Sequence, residues 1–175
     1  MGSVSPQRSR TVLERHVLPA DTNTFSALYG GRLMEWIDNI ASIVATKHAR
    51  KKVVTGSIDS LFFLAPIRLG DIVRLDARVN YVTKSTMEIE VDVTTEESLT
   101  GIRRFATKAF LTYVAVDDNG RPLQVPGLSL RTAGEKQRFG EGRRRSAGRI
   151  AKLNEVRKEA DKFNRQTGRL GGSNV

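Results

Sequence analysis

The longest helical pattern in the chain lies between Gly31 and His48. Apolar residues recur there every three or four positions, which predicts an amphipathic helix. Its apolar face consists of Leu33, Ile37, Ile40, Ala41 and Val44. Because this segment is apolar on most of its sides, we expect a sheet to curl around it.

Alternation with a period of two predicts the strands. Four segments after the helix are rich in β-branched and aromatic residues and are bounded by turn residues. They are Val53–Leu64, Ile72–Val82, Met87–Val93 and Phe105–Val116, and a shorter strand, Val12–Leu18, precedes the helix. One strand, one helix and then four strands with hairpin-length connections predict an α+β fold with an antiparallel sheet.

The two ends of the chain differ in composition from the middle. Residues 135–145 and 150–163 are charge-rich and predict two further helices, the second with a narrow apolar stripe. We expect residues 1–11 to form a disordered arm, 12–130 the main domain and 131–175 a basic helical extension. The final segment, 168–175, is expected to fray.

The net charge of +10 is concentrated in the C-terminal extension. Residues 135–175 carry 12 Lys/Arg against 5 Asp/Glu, a net +7, which leaves +3 for the remaining 134 residues. Such asymmetry indicates a phosphate-bearing partner, either a nucleic acid or an anionic cofactor. The extension has only Phe139 and Phe163 for base stacking, which disfavours nucleic acid.

Several classes of protein are excluded by what the sequence lacks. With no Cys there is no disulfide framework, thiolate metal site or cysteine nucleophile. No apolar run approaches the roughly 18 residues of a membrane span, and the start of the chain lacks a signal peptide's apolar core. His16 and His48 lack metal-ligand spacing, so each is interpreted as a surface or packing residue. We expect a cytoplasmic protein without a metal.

The candidate chemistry lies at the start of the predicted helix. The pair Gly30–Gly31 exposes backbone N–H groups that could hold a carbonyl oxygen as it becomes negative. Asp38 lies at the border of the apolar and polar faces, where it could act as a base for water or as a nucleophile. Asn23 could orient either group. From spacing alone, a solvated carboxylate at Asp38 and a turn or cap at Asn23 remain open alternatives.

The chain resembles the hotdog-fold acyl-CoA thioesterases, specifically the cytosolic acyl-CoA hydrolase branch, over roughly residues 12–145. Any one matching segment is weak, and it is their order along the chain that is specific. The segments are PADTN at 19–23, LYGG at 28–31, WID at 36–38, VTGSID at 54–59, FLAP at 63–66, GD at 70–71, STME at 85–88, TG at 100–101, AF at 109–110, YVAVD at 113–117, GRP at 120–122 and VP at 125–126.

This resemblance implies a five-stranded antiparallel sheet wrapped around one long central helix. Protomers of the family pair edge to edge and commonly assemble as trimers of dimers, so a homohexamer acting in lipid metabolism is expected. Asp38 would be the base or nucleophile that hydrolyses the thioester, and Asn23 would come from a second subunit to position the water or the carbonyl. Gly30 or Gly31 would donate to the oxyanion.

Coenzyme A is expected as part of the substrate and product, with no separate cofactor. Lys84 is the first choice for a phosphate contact. The residues expected to bind coenzyme A are Ser57, Ile58, Lys84, Ser85, Thr86 and Arg144.

The sequence departs from the family pattern at Ser26 and Thr83, where Gly is usual. Ser26 could constrain its turn if that turn needs a positive φ. Thr83 could alter the phosphate contacts expected of Lys84, Ser85 and Thr86. A hotdog protein that binds acyl-CoA or a nucleotide without turnover is the alternative function, together with nucleic-acid binding through the basic tail. A hotdog dehydratase is disfavoured, because neither His16 nor His48 occupies a matching place.

Overall fold

One long helix lies inside a curled antiparallel sheet, and a second long helix lies on the sheet's other face. The computed structural model describes residues 2–59 and 61–166. Its elements are β1 (Ser3–Val4), β2 (Thr11–His16), α1 (Gly30–Ala49), β3 (Lys52–Ile58), β4 (Ile72–Val82), β5 (Thr86–Glu96), β6 (Arg103–Val116), β7 (Gly127–Leu128) and α2 (Ala133–Gln166), with 3₁₀ turns at Pro6–Arg8 and Pro19–Asp21.

The main sheet has five strands in the order β2-β4-β5-β6-β3, and every neighbouring pair is antiparallel. Strands β2 and β3 form its two edges. Helix α1 contacts all five strands. The predicted α+β class and the hotdog arrangement are therefore confirmed. None of the helices in the described ranges is long and apolar enough to cross a membrane.

The core lies between α1 and the concave face of the sheet. The apolar face of α1 is buried as its spacing predicts, and the alternating positions of β4, β5 and β6 pack against it. On β5, for example, Met87, Ile89, Val91 and Val93 are fully buried. The helix ends at Ala49, and the C-cap residue Arg50, whose N–H still donates to the Thr46 carbonyl, turns the chain away with a left-handed φ of 53°.

Strand β3 is shorter than the predicted segment Val53–Leu64, so that prediction is wrong in its second half. The strand ends at Ile58, and residues 61–66 run beside β6 with only isolated bonds, from the Leu64 N–H to the Ala106 carbonyl and from the Thr107 hydroxyl to the Phe62 carbonyl. Apolar and aromatic composition does not distinguish this exposed segment from a strand, because the difference lies in backbone pairing.

The prediction of a disordered arm over residues 1–11 is also wrong. Strand β1 pairs in parallel with β7, Pro6 is buried in the following turn, and β2 already begins at Thr11. The polar composition of the arm gave no sign of this, because its order depends on a partner strand more than 120 residues away in the chain.

Helix α2 is one continuous helix of 34 residues instead of the two that were predicted. It begins with a capping box, in which the N–H groups of Arg131 and Thr132 donate to Glu135 and the Glu135 N–H donates to the Thr132 hydroxyl. These bonds lower the pKa of Glu135. Since no Pro lies between the two predicted helices, nothing ends the first one. Residues 167–175, which include the whole segment expected to fray, lie outside the described residues.

A buried carboxylate holds α2 on the outer face of the sheet. Glu88 of β5 is only 1% exposed and receives hydrogen bonds from Arg145 at 2.7 Å and from Arg149 at 3.2 Å. Arg149 also bonds to Asp59 at 3.0 Å, and the Arg145 guanidinium lies 3.7 Å from the centre of the Phe110 ring. The positive charge of this part of α2 is therefore used within the fold, because a buried carboxylate requires such partners.

Close approach of α2 to the sheet requires glycine at one position. A Cβ atom on Gly142 would lie 2.7 Å from Tyr81 Cβ and 2.8 Å from Glu88 Oε1, whereas a Cβ on Gly148 would meet no atom within 4 Å. We expect Gly142→Ala to lower the free energy of unfolding by about 1–3 kcal/mol through overpacking. Gly148→Ala should raise it by up to about 1 kcal/mol through helix propensity. Thermal unfolding of both variants checks this, and equal effects would contradict the docking geometry.

Candidate active site

Asp38 lies two turns into α1 on the side that faces β3 and β6. Its Oδ1 atom accepts hydrogen bonds from the Tyr113 hydroxyl at 2.6 Å and from the Thr55 hydroxyl at 3.0 Å. No partner for its Oδ2 atom lies within the described parts of the chain. The side chain is half-buried, as its border position on the helical wheel predicts. One carboxylate oxygen is thus fixed by the fold, and the other is available to a substrate or a water.

The two donors to Asp38 form a cross-strand pair. Thr55 of β3 is the register partner of Tyr113 of β6, so both side chains point toward α1. Burial, followed by the hydrogen bond to Asp38, raises the pKa of Tyr113 well above its ordinary value. The phenol therefore stays protonated and acts as a donor at neutral pH.

A β-bulge at Gly56 follows this pair. Thr55 pairs with Tyr113 and Ser57 pairs with Thr112, so Gly56 is the extra residue. Because Thr112 and Tyr113 point to opposite faces of β6, Ser57 points away from α1. The bulge therefore separates Ser57 from the group around Asp38.

Asn23 lies in the turn before α1. Its Oδ1 atom accepts hydrogen bonds from the N–H groups of Phe25 at 2.9 Å and of Ala27 at 3.2 Å. This is the turn-forming role that spacing alone left open. It leaves the side-chain NH₂ group without a partner within the described ranges. No hydrogen bond joins Asn23 to Asp38 among the described residues of one chain.

The start of α1 offers unpaired backbone donors, as expected from the glycine pair. The first intrahelical bond runs from the Leu33 N–H to the Tyr29 carbonyl, and Tyr29 supplies no side-chain cap. The N–H groups of Gly30 and Gly31 therefore have no acceptor within the described part of the chain, which is the usual condition of a helix start. Such donors, together with the helix dipole, favour negative charge.

A cavity of about 300 Å³ opens beside these donors. It is lined by Leu28, Gly30 and Leu33 on one side and by the segment Phe63–Ile67 on the other. The Phe63 ring lies so near Gly30 that a Cβ there would be 3.3 Å from Phe63 Cζ. The lining is largely apolar, so the cavity suits a hydrocarbon group.

Lys84, Ser85 and Thr86 lie at the turn between β4 and β5. The Thr83 hydroxyl contacts the Thr86 hydroxyl at 2.7 Å and accepts from the Thr86 N–H at 3.2 Å. Thr83 thus closes this turn with a negative φ, and no glycine is needed here. The Lys84 side chain is exposed, and its carbonyl accepts from the Val125 N–H.

Ser57 and Ile58 line a second cavity of about 510 Å³, which lies between β3 and α2. Its other side carries Arg145, Arg149 and Lys152. Arg144 is on the exposed side of α2 and does not line this cavity. The sequence could not choose among these arginines, because the rotation of α2 is set by its contact with Glu88.

The two histidines lie away from Asp38. His16 Nε2 bonds to the Gly70 carbonyl on the surface, and His48 Nε2 bonds to the Pro126 carbonyl in the core. Burial lowers the pKa of His48. The residues that sequence reasoning missed are Thr55 and Tyr113. The only signal for them in the sequence is that each is a polar residue at a core-facing position of a predicted strand.

Ser26 occupies a backbone conformation that favours glycine. Its φ is +56°, within the turn between Asn23 and α1. The positive φ that the family's glycine suggested is therefore present. We expect Ser26→Gly to raise the free energy of unfolding by about 0.5–1 kcal/mol. Ser26→Ala, which keeps the strain, serves as the control in thermal unfolding, and equal stabilities of the two variants would contradict this explanation.

A curled antiparallel sheet wrapped around one long helix is the hotdog fold. The family model described as "Thioesterase superfamily" matches residues 25–102. The chain is 45% identical over 129 residues to YkhA of Bacillus subtilis, named as an uncharacterized acyl-CoA thioester hydrolase, covering 74% of this chain and 75% of that one. The chain belongs to the acyl-CoA thioester hydrolase family of this superfamily.

Longer relatives and solved structures also match. The human cytosolic acyl coenzyme A thioester hydrolase is 36% identical over 78% of this chain, which spans only 37% of that protein. An apo-hexameric acyl-CoA thioesterase superposes with a TM-score of 0.83 at 38% identity, covering 87% of this chain and 98% of that one.

The acyl-CoA hydrolase of Staphylococcus aureus has been solved with butyryl coenzyme A, coenzyme A and coenzyme A disulfide. It gives a TM-score of 0.86 at 37% identity, covering 92% of this chain and 98% of that one. Variants of that enzyme with an Asn, an Asp or a Thr replaced by Ala have also been solved.

Proposed function

We propose that this protein hydrolyses acyl-CoA thioesters to coenzyme A and a carboxylic acid. The observation that carries the proposal is the state of the Asp38 carboxylate, with Oδ1 held by Tyr113 and Thr55 and Oδ2 open. A general base or a nucleophile needs such an oriented, unshared oxygen. The unpaired amides at the start of α1 supply the matching electrophilic group.

In the reaction, an oxygen nucleophile attacks the carbonyl carbon of the thioester. If Asp38 is the base, Oδ2 takes a proton from the attacking water. If Asp38 is the nucleophile, Oδ2 attacks the carbonyl carbon and the carbon–sulfur bond breaks to give an anhydride between Asp38 and the acyl group, which water then hydrolyses. In either route the carbonyl oxygen becomes negative and accepts from the N–H of Gly30 or Gly31. When the carbon–sulfur bond breaks, the sulfur leaves with the electron pair and takes up a proton, which in the base route is the one that Asp38 removed from water.

The spacing of the site residues supports this assignment. The Asn, Asp and Thr replaced in the S. aureus variants are 15 and 17 positions apart. Asn23, Asp38 and Thr55 occur in the same order with the same separations, 38 − 23 = 15 and 55 − 38 = 17. Agreement of all three residue types and both intervals is far more specific than agreement of one residue.

Asn23 of one subunit would position the water or the carbonyl beside Asp38 of a second subunit. Its Oδ1 is committed to its own turn, while its NH₂ group could donate to a carbonyl or a water. Edge strand β3 carries Thr55 and exposes Val54 and Ile58, which suits edge-to-edge pairing of two protomers. We propose a homohexamer built from three such dimers, and the hexameric state of a similar thioesterase supports the number of subunits. We also propose a cytoplasmic location, which the cytosolic human relative supports.

The acyl group would enter the cavity beside Gly30, and the coenzyme A moiety would lie toward β3 and the turn before β5. Lys84 would contact a phosphate of coenzyme A, and Ser85 and Thr86 on the same turn would also bind the coenzyme. Ser57 and Ile58 would bind it at the cavity between β3 and α2. Arg144, exposed on α2, could reach the phosphate of a substrate bound to a neighbouring subunit.

Release of free thiol from a panel of acyl-CoAs of different chain lengths tests the proposed function. Steady turnover of at least one of them is expected. Tight binding of acyl-CoA with no thiol release at any chain length would instead support a non-catalytic hotdog protein. Salt-sensitive retention of nucleic acid, lost on deletion of residues 146–175, would support binding through the tail.

A further inference from the structure

The Tyr113 side chain is an almost fully enclosed polar group beside the candidate active site. It is 1% exposed, and its hydroxyl lies 2.6 Å from Asp38 Oδ1 and 2.8 Å from the backbone carbonyl oxygen of the same residue. Both acceptors belong to one residue of α1. A phenol has one hydrogen to donate, and a charged carboxylate is the stronger acceptor.

We infer that Tyr113 is a positioning residue for hydrolysis, holding the Asp38 carboxylate so that Oδ2 faces the thioester. The inference rests on the proposed function and deepens it. With Oδ1 fixed from β6 by Tyr113 and from β3 by Thr55, the carboxylate plane cannot rotate about the bond to Cβ. A base fixed in this way loses little orientational freedom when the reaction begins.

The two donors differ in how firmly they are themselves held. Tyr113 lies on β6, a strand that is hydrogen-bonded to β5 on one side and to β3 on the other, whereas Thr55 lies on an edge strand and is exposed in one chain. Register partners fix the Tyr113 backbone on both sides, Thr55 on β3 and Met87 on β5. Tyr113 is therefore the more firmly held of the two donors to Asp38, and Thr55 is the less firmly held one.

Tyr113→Phe tests the inference, because it removes the hydroxyl and keeps the buried ring. The full-length variant is expected to lose about tenfold to a hundredfold in kcat with little change in KM. The acidic limb of its pH–rate profile should move to higher pH, because the ionised carboxylate loses a donor. Tyr81→Phe is the matched control, since the Tyr81 ring packs on Phe139 away from Asp38, and it should behave like the parent.

A second variant keeps the test decisive if Tyr113→Phe folds poorly. Replacing Tyr113 with 3-fluorotyrosine makes the hydroxyl a stronger donor without changing the fold, so the acidic limb should move to lower pH. Unchanged kcat and an unchanged limb in the folded variants would overturn the inference, as would equal effects of Tyr81→Phe. Failure of the proposed function would give a different result. In that case the parent protein would release no thiol, or Asp38→Asn would be as active as the parent.

Discussion

Asp38→Asn is expected to lower kcat by about a thousandfold while leaving the fold intact. The amide has nearly the same shape as the carboxylate, and its oxygen can still accept from Tyr113 and Thr55. What it lacks is the negative charge that removes a proton from water or attacks the carbonyl carbon. Thiol release under substrate saturation measures the loss, and circular dichroism checks the fold.

Glu35→Gln provides the matched control on the same helix. Glu35 is exposed and pairs with Arg32 at 2.6 Å, so it contributes a surface ion pair of small energy. We expect activity within about twofold of the parent, since surface substitutions rarely alter a distant site. Substantial thiol release by Asp38→Asn would remove Asp38 from the chemistry.

Mixing two inactive variants is expected to restore activity. If each site combines Asn23 of one subunit with Asp38 of another, a dimer of Asn23→Ala and Asp38→Ala chains has one complete site and one doubly defective site. Random pairing of equal amounts gives half mixed dimers, so about a quarter of the parent activity should return. Co-refolding or co-expression, followed by thiol-release assays, measures this recovery.

Each variant refolded alone is the control and should remain inactive. A mixture that stays inactive although both chains are found in one dimer would contradict a shared site. A monomer with full activity at high dilution would contradict it as well.

The sequence predicted the parts of the fold that depend on local periodicity. The apolar face of α1 and the alternation of β4, β5 and β6 each follow from side chains that one element must bury. The border position of Asp38 on the helical wheel was also correct. The family resemblance then indicated which polar residues belong together, which spacing alone had left open.

The sequence could not predict contacts between distant segments. Tyr113 is 75 residues from Asp38, and Glu88 is 57 residues from Arg145, so neither pair leaves a local pattern. The same reason explains the errors at β1, whose partner is β7, and at residues 61–64, where apolar character does not determine backbone pairing. The roles proposed for Asn23 and Arg144 require a second subunit.

The extra residue Gly56 in β3 places two nearby residues on opposite faces of the sheet. Thr55 points to Asp38, and Ser57, two residues later, points to the cavity between β3 and α2. A molecule bound in the cavity between β3 and α2 would therefore contact β3 within two residues of Thr55, on the face opposite to Asp38.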